Sequence, residues 1–180
     1  MLVKTVDINE LHELCSRLAY EVYESAYHPD CILAVLNGGL KPAEIICKEL
    51  SRLYNDNSIE LIHVGVNKKN RNFASFQILR YFPIGLLNCL RIISLKIKRV
   101  VPFEKTCFIK VTIPARCQNI LIVDDAIDTG KTLLSILNEL NNVNFKTAVL
   151  TVTIDNPKVT PHYNLFKNVI LRLPWARDVK

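Results

Sequence analysis

Hydrophobic and polar positions fall into blocks along this chain, and the period changes from block to block. From Asp7 to about Tyr27, Leu11, Leu14, Leu18 and Val22 recur at helical spacing, which predicts an amphipathic helix. Short apolar runs at about Cys31–Leu36, Ile59–Val66, Ile120–Val123, Thr147–Thr153 and Val169–Leu173 predict strands. Helical patterns near Pro42–Tyr54 and Thr132–Leu140 lie between them. This alternation predicts an α/β fold: a doubly wound, mostly parallel sheet flanked by helices.

One stretch does not follow the alternation. From Ile84 to Val100, Leu87, Leu90, Ile93, Leu95 and Ile97 interleave with Arg91, Lys96, Lys98 and Arg99, a pattern for a basic amphipathic helix. It is too charged to span a bilayer, and no transmembrane segment is expected. Thr106–Ile113 reads as a strand pairing at the sheet edge. Charge isolates the same region: residues 65–110 hold ten Lys and Arg against Glu104 alone, so they carry +9 while the remainder carries −3. Three uses fit this basicity: a hood over an anionic ligand, a self-association helix, or a surface at 68–110 for nucleic acid or anionic lipid.

At 180 residues the chain is long enough for one well-buried core, and no repeat or low-complexity tract divides it. A single domain over 1–180, with a variable insert at 67–110, is the expectation. The Cys residues at 15, 31, 47, 89, 107 and 117 form no Cys-x-x-Cys, and most read as small core residues. Lys4, Asp7, Glu10 and Glu13 interrupt the N-terminal hydrophobics, so no signal peptide is expected. A cytoplasmic, reducing setting follows.

The candidate chemistry is concentrated in Ile120–Leu134, where four apolar residues run into Asp124, Asp125, Ala126, Ile127, Asp128, Thr129, Gly130, Lys131 and Thr132 before a helix. A strand leading through a polar turn to a helix start offers unpartnered N–H groups to a phosphate. Thr129 and Thr132 add hydroxyl donors, and Gly130 allows close approach. Two adjacent carboxylates would repel a phosphate, so Asp124 and Asp125 suit sugar hydroxyls or a hydrated Mg²⁺. Gly130-Lys131-Thr132 matches the end of a Walker loop, but that loop needs a Gly where Asp125 stands. Alone, Asp128 or Thr129 would read as a helix N-cap. It is the whole constellation that indicates an anion-plus-hydroxyl site.

This run resembles the phosphoribosyl-pyrophosphate (PRPP) signature of type I phosphoribosyltransferases. Cys31–Leu50, with Asn37-Gly38-Gly39 between an apolar run and a helical pattern, is similar to that family's first strand, pyrophosphate loop and following helix. Leu173-Pro174-Trp175 resembles the ending of its xanthine and hypoxanthine-guanine members. Residues 7–53 and 118–155 carry the resemblance, whereas 67–110 match poorly. It implies transfer of ribose 5-phosphate from PRPP to a purine-like nitrogenous base, Mg²⁺-dependent, with release of pyrophosphate, in a protein that pairs as a homo-oligomer (dimer).

By the same resemblance, Asp128–Thr132 take the 5′-phosphate and Asn37, Gly38 and Gly39 the pyrophosphate. Asp124 and Asp125 take the ribose hydroxyls, directly or through Mg²⁺, and Asp128 is the candidate base in catalysis. The base side departs from the pattern. Asn156 stands where a Lys is expected, with Lys158 two positions on. Ile170 replaces a stacking aromatic, and Trp175 is either base-proximal or a packing residue. Gly65–Ser75 shows no clear closing loop. Two readings remain: a phosphoribosyltransferase, or a regulator or defence-type effector that binds PRPP or nucleotide and contacts nucleic acid or protein through the insert.

Overall fold

The structure, a computed structural model, describes residues 2–36, 38–65, 111–140 and 143–176, together with Gly85, Cys89 and Ile93. A five-stranded sheet has the order β3-β2-β4-β5-β6, formed by β2 (Cys31–Val35), β3 (Glu60–Val64), β4 (Asn119–Ile127), β5 (Asn144–Val152) and β6 (Tyr163–Lys167). Each pairing in it is parallel. A separate parallel pair joins β1 (Leu2–Thr5) to β7 (Val169–Arg172).

Strands of a parallel sheet are covered on both faces, which is why Cys31–Val35 and Ile120–Val123 are buried at every position. Alternation along them supplies two cores. Ile32, Ala34, Leu121, Val123, Ala148 and Leu150 meet α1 (Ile8–Glu24) and α2 (Leu40–Tyr54) through Leu11, Leu18, Ala43 and Ile46. On the other face Leu33, Val35, Ile120, Ile122 and Val149 pack with Leu133 and Ile136 of α3 (Lys131–Leu137), and with Val111 and Ile113.

Helix bounds follow local chemistry. The Asp7 carboxylate caps α1 by accepting from the Glu10 N–H at 2.8 Å. Pro42 falls in the first turn of α2, where its missing N–H costs nothing, so the helix starts two residues before the expected Pro42. α3 starts one residue earlier than the pattern suggests and ends three earlier, because three-residue bonds from Glu139 to Ile136 and Leu140 to Leu137 tighten its end.

Three further differences from the sequence reading are findings. β4 runs on to Ile127, so Asp124 and Asp125 lie within the strand rather than beyond it. β1 and β6 are additional strands. Val111–Ile113, the described part of the expected strand at Thr106–Ile113, is not in a strand, although Val111 and Ile113 pack on the second core. Of the expected basic helix, Gly85, Cys89 and Ile93 are helical and exposed, and the rest lies outside the described residues. Among the described residues no helix is long and apolar enough to cross a membrane.

Candidate functional site

Chain connections leave β2 toward one edge of the sheet and β4 toward the other, so the crevice between their carboxyl ends is a topological switch point, where open α/β sheets bind ligands. Pairing of β2 with β4 ends at Ala34 and Val123, yet β4 continues beside β5 through Asp124–Val149, Ala126–Thr151 and Ile127–Val152. The gap that opens past Val123 is filled by the turn after β2. Hydrogen bonds from Leu36 N–H to the Val64 carbonyl (3.0 Å) and from Gly39 N–H to the Val35 carbonyl (2.9 Å) fold that turn back on itself.

Both glycines of this turn are required by contact. A Cβ on Gly39 would lie 2.8 Å from the Asp124 Cα and from the Val35 carbonyl oxygen. A Cβ on Gly38 would collide with the carboxyl group of Asp125. Asn37, the third pyrophosphate-loop candidate, lies outside the described residues.

The acids of β4 are unlike one another. Asp124 Oδ1 accepts the N–H of Asp125 at 2.9 Å. Burial pushes the Asp125 carboxyl above its ordinary range and the Asp128 charge adds to this, against the hydrogen bonds it receives from Asp124 and the Ala126 N–H. A carboxyl raised by burial beside other acids in a cleft is a feature that functional sites share.

Beyond β4 the chain turns through Asp128, Thr129 and Gly130. Gly130 occupies the N-cap of α3 with φ 76°, so neither Asp128 nor Thr129 caps the helix. Asp128 instead accepts from the Thr153 hydroxyl at 2.8 Å, while the Thr153 N–H donates to the Ile127 carbonyl at 2.9 Å. The Thr129 carbonyl accepts the Lys158 N–H at 3.0 Å. A Cβ on Gly130 would sit 2.9 Å from the Val159 nitrogen, so both backbone conformation and space call for glycine. Thr129, Lys131 and Thr132 are half-buried around this turn. With only seven residues in α3, the turn's own amides and hydroxyls matter more to an anion than the helix dipole.

The predicted residues therefore separate into groups. Gly38, Gly39, Asp124 and Asp125 are brought into one interlocked unit, and Asp128, Gly130 and Lys158 meet through Thr153 and the backbone. The base-side candidates come from separate pieces. Asn156 and Lys158 are exposed in the loop after β5, where Asp155 accepts from the Asn168 amide at 2.5 Å. Ile170 is buried within the β1–β7 pair opposite Val3, and Trp175 is exposed in the turn that follows. Thr153, which fixes the Asp128 carboxylate, was assigned no role from sequence; a hydroxyl ending an apolar strand is the signal that marks it.

Among the described residues no cluster of three His, Cys, Asp or Glu side chains could hold a metal alone. The oxygen donors of Asp124 and Asp125 fit a hard cation such as Mg²⁺, provided the ligand's own oxygens complete its shell.

A parallel sheet with glycine-rich and acidic loops at its switch point is the architecture of a sugar-phosphate or nucleotide-binding α/β protein. The chain belongs to the phosphoribosyl transferase domain family, whose family model matches residues 6–176. A search of the curated proteins returns no match. Among solved structures it is similar to a purine phosphoribosyltransferase from Pyrococcus horikoshii (TM-score 0.63, 24% identity, 97% of this chain and 95% of that one). It is also similar to a xanthine-guanine-hypoxanthine phosphoribosyltransferase from Helicobacter pylori (0.63, 14%, 98% and 93%). A third is a hypothetical protein from Neisseria gonorrhoeae with bound ppGpp (0.62, 17%, 97% and 90%). At these identities the structural likenesses establish the fold.

Proposed function

We propose that this protein is a phosphoribosyltransferase that moves ribose 5-phosphate from PRPP to a nitrogen of a purine-like base, releasing pyrophosphate. The chain acts as one domain over 1–180 with the insert at 67–110, in a reducing cytoplasmic setting. The observation that carries the reading is the seating of two loops on one rim: the Gly38–Gly39 turn rests on Asp125 while Asp128–Gly130 turns over Thr153 and Lys158.

In this reading the amides of Asp128–Thr132 and the Thr129 and Thr132 hydroxyls take the 5′-phosphate. Asn37, Gly38 and Gly39 offer backbone N–H groups to the pyrophosphate. Asp124 and Asp125 hold the ribose hydroxyls; they would also be the residues to hold a Mg²⁺, which would supply charge neutralisation for the leaving pyrophosphate. As the C1′–O bond to pyrophosphate breaks and the C1′–N bond forms, positive charge develops on the ribose ring, and the acids nearby stabilise it. Asp128, oriented by Thr153, accepts the proton that the base nitrogen sheds. Asn156, Lys158, Ile170 and Trp175 frame the base.

Two observations favour a second reading, a regulator that binds PRPP or a nucleotide and contacts nucleic acid or a protein through 68–110. The +9 insert is one, and Asn156 in place of the expected Lys is the other. The similar Neisseria protein with bound ppGpp makes that nucleotide a useful probe. The test is Mg²⁺-dependent pyrophosphate release from PRPP over a panel of bases, beside salt-titrated binding to DNA and RNA. Turnover lost in the Asp124→Asn/Asp125→Asn double variant supports the enzyme. Salt-sensitive nucleic-acid binding without turnover supports the regulator.

A further inference from the structure

We propose that Thr151 and Thr153 are positioning residues: through their two hydroxyls, β5 holds the start of β7, and with it the base side, in register with Asp128. This deepens the phosphoribosyl reading and rests on it. A strand covered on both faces reads as a near-continuous apolar run, and β5 does so at Ala148, Val149, Leu150 and Val152. Thr147, Thr151 and Thr153 interrupt that run, and with Arg172 they are the buried polar side chains among the described residues. Valine would fill the same space in a strand without burying a hydroxyl that needs a partner. The partner of each hydroxyl is therefore the informative part.

The Thr151 hydroxyl donates to the Val169 carbonyl at 2.6 Å. Beside it the Asn168 N–H donates to the Val152 carbonyl at 2.8 Å, and the Asn168 side-chain amide donates to Asp155. These three bonds pin the corner between β6 and β7, where Asn168 takes φ 60°, to the end of β5. Ile170, a base-side candidate, is the second residue of β7. The Thr153 hydroxyl has one proton and two acceptors in reach, Asp128 Oδ1 at 2.8 Å and the Ile127 carbonyl at 3.2 Å. That carbonyl already takes the Thr153 N–H at 2.9 Å, so the hydroxyl proton goes to the nearer carboxylate. Thr151 and Thr153 stand about 7 Å apart along the chain, two residues of extended backbone. One stretch of strand thus sets the span between the ring nitrogen that sheds a proton and the carboxylate that takes it. Thr147, nearer the amino end, instead donates to His162 Nδ1 at 3.0 Å and accepts the His162 N–H at 3.0 Å.

The experiment is steady-state kinetics of the full chain with Mg²⁺ and PRPP, using whichever of hypoxanthine, guanine, xanthine or adenine the native protein turns over fastest. Thr151→Val should raise KM for the base by about fivefold or more and leave kcat within about twofold. Thr153→Val should lower kcat by about tenfold or more and leave KM for the base within about threefold. Serine at either position keeps the hydroxyl and should bring the affected constant back to within about threefold of native. Thr147→Val loses an equally buried hydroxyl, so it should melt lower while kcat and KM stay within about twofold. If a valine variant does not fold, alanine at the same position takes its place. A serine variant as impaired as its valine counterpart overturns the assignment, because the hydroxyl is then not what positions these groups. So does a Thr147→Val loss of kcat equal to that of Thr153→Val, or a base KM unmoved in Thr151→Val. A native protein that releases no pyrophosphate with any base overturns the phosphoribosyl reading itself, and this proposal with it.

Discussion

Asp30 and Asp125 flank the same two strands from opposite ends, and their carboxyls are displaced in opposite directions. Burial opposes the charge on both. At Asp30, just before β2, the N–H groups of Gln118 and Asn119 (2.6 and 3.0 Å) and the Asn119 amide outweigh burial and hold the carboxyl below its ordinary range. At Asp125 burial wins, and the carboxyl is raised. The amino ends of the strands are closed by such bonds: the Tyr27 hydroxyl donates to the Ile120 carbonyl, and the Lys146 ammonium donates to the Tyr163 hydroxyl. The carboxyl ends instead hold Gly38 pressed against the Asp125 carboxyl, Gly39 pressed against backbone, and a left-handed turn at Gly130. One rim is closed by its own bonds; under the proposed function the other is completed by a ligand.

The largest effect that tests this contrast is expected at Gly130. A valine there meets both the positive φ and the Val159 backbone. Gly130→Val should abolish detectable PRPP binding, a loss of about a hundredfold or more, and cost about 1–3 kcal/mol in stability from backbone strain. Titration calorimetry with a denaturant melt separates the two. Undiminished PRPP affinity would remove the phosphate from this turn.

Asp30→Ala should do the reverse. Losing an ionised acceptor of three hydrogen bonds costs about 2–3 kcal/mol of stability, while PRPP affinity in the remaining folded protein stays within about twofold. Because the folded carboxyl is held low, the native protein has this contribution above the ordinary carboxylate range and loses it as pH falls through the lowered value. The gap between native and variant melting temperatures should therefore narrow in acid. A pH-independent gap would show that packing, not the charge, is what Asp30 supplies.

Much of this contrast could be read from sequence at one rim and little of it at the other. The carboxyl-end site is contiguous: Asp124 to Thr132 stand in one run, so their chemistry is visible before any fold is known. That the acids lie inside β4 was not visible, because two adjacent carboxylates look like the end of an apolar run. Here β5 alone continues to pair with β4. β1 and β6 were missed because Leu2–Thr5 and Tyr163–Lys167 are short and hold no fully buried residue to announce a core strand. The closed rim is assembled from Tyr27, Asp30, Gln118, Asn119, Asn144 and Lys146, which only the parallel register brings together. The base side stays least legible, since its candidates lie on different elements.

Asp125→Asn tests the open rim by stability. A raised folded carboxyl contributes most below the unfolded value and loses that contribution as pH rises through the raised value. In metal-free protein the variant should thus melt higher than the native chain near neutral pH, with the difference closing in acid. A variant that melts lower at every pH would mean that the Asp125 charge is stabilised rather than tolerated.

The smallest effect lies at His162, on the closed rim. Its Nδ1 faces the Thr147 N–H at 3.2 Å and the Thr147 hydroxyl at 3.0 Å. A backbone N–H can only donate, so Nδ1 must be bare and the ring proton sits on Nε2. Protonating Nδ1 would set two N–H groups against each other. Partial burial first, and the Lys146 charge second, hold the imidazole below its ordinary range. A depressed histidine contributes fully above its unfolded value and loses that contribution as pH falls below it. The native chain should therefore lose ground to His162→Gln as pH drops from about 7.5 to about 5. The ring is largely exposed, so the shift should not exceed about 2 °C in Tm. PRPP affinity should follow the same pH course in both proteins, set by the ligand's own phosphate and the open rim rather than by His162. A binding curve that followed the His162 titration would couple the two rims, and the division between a stable end and a ligand-completed end would no longer hold.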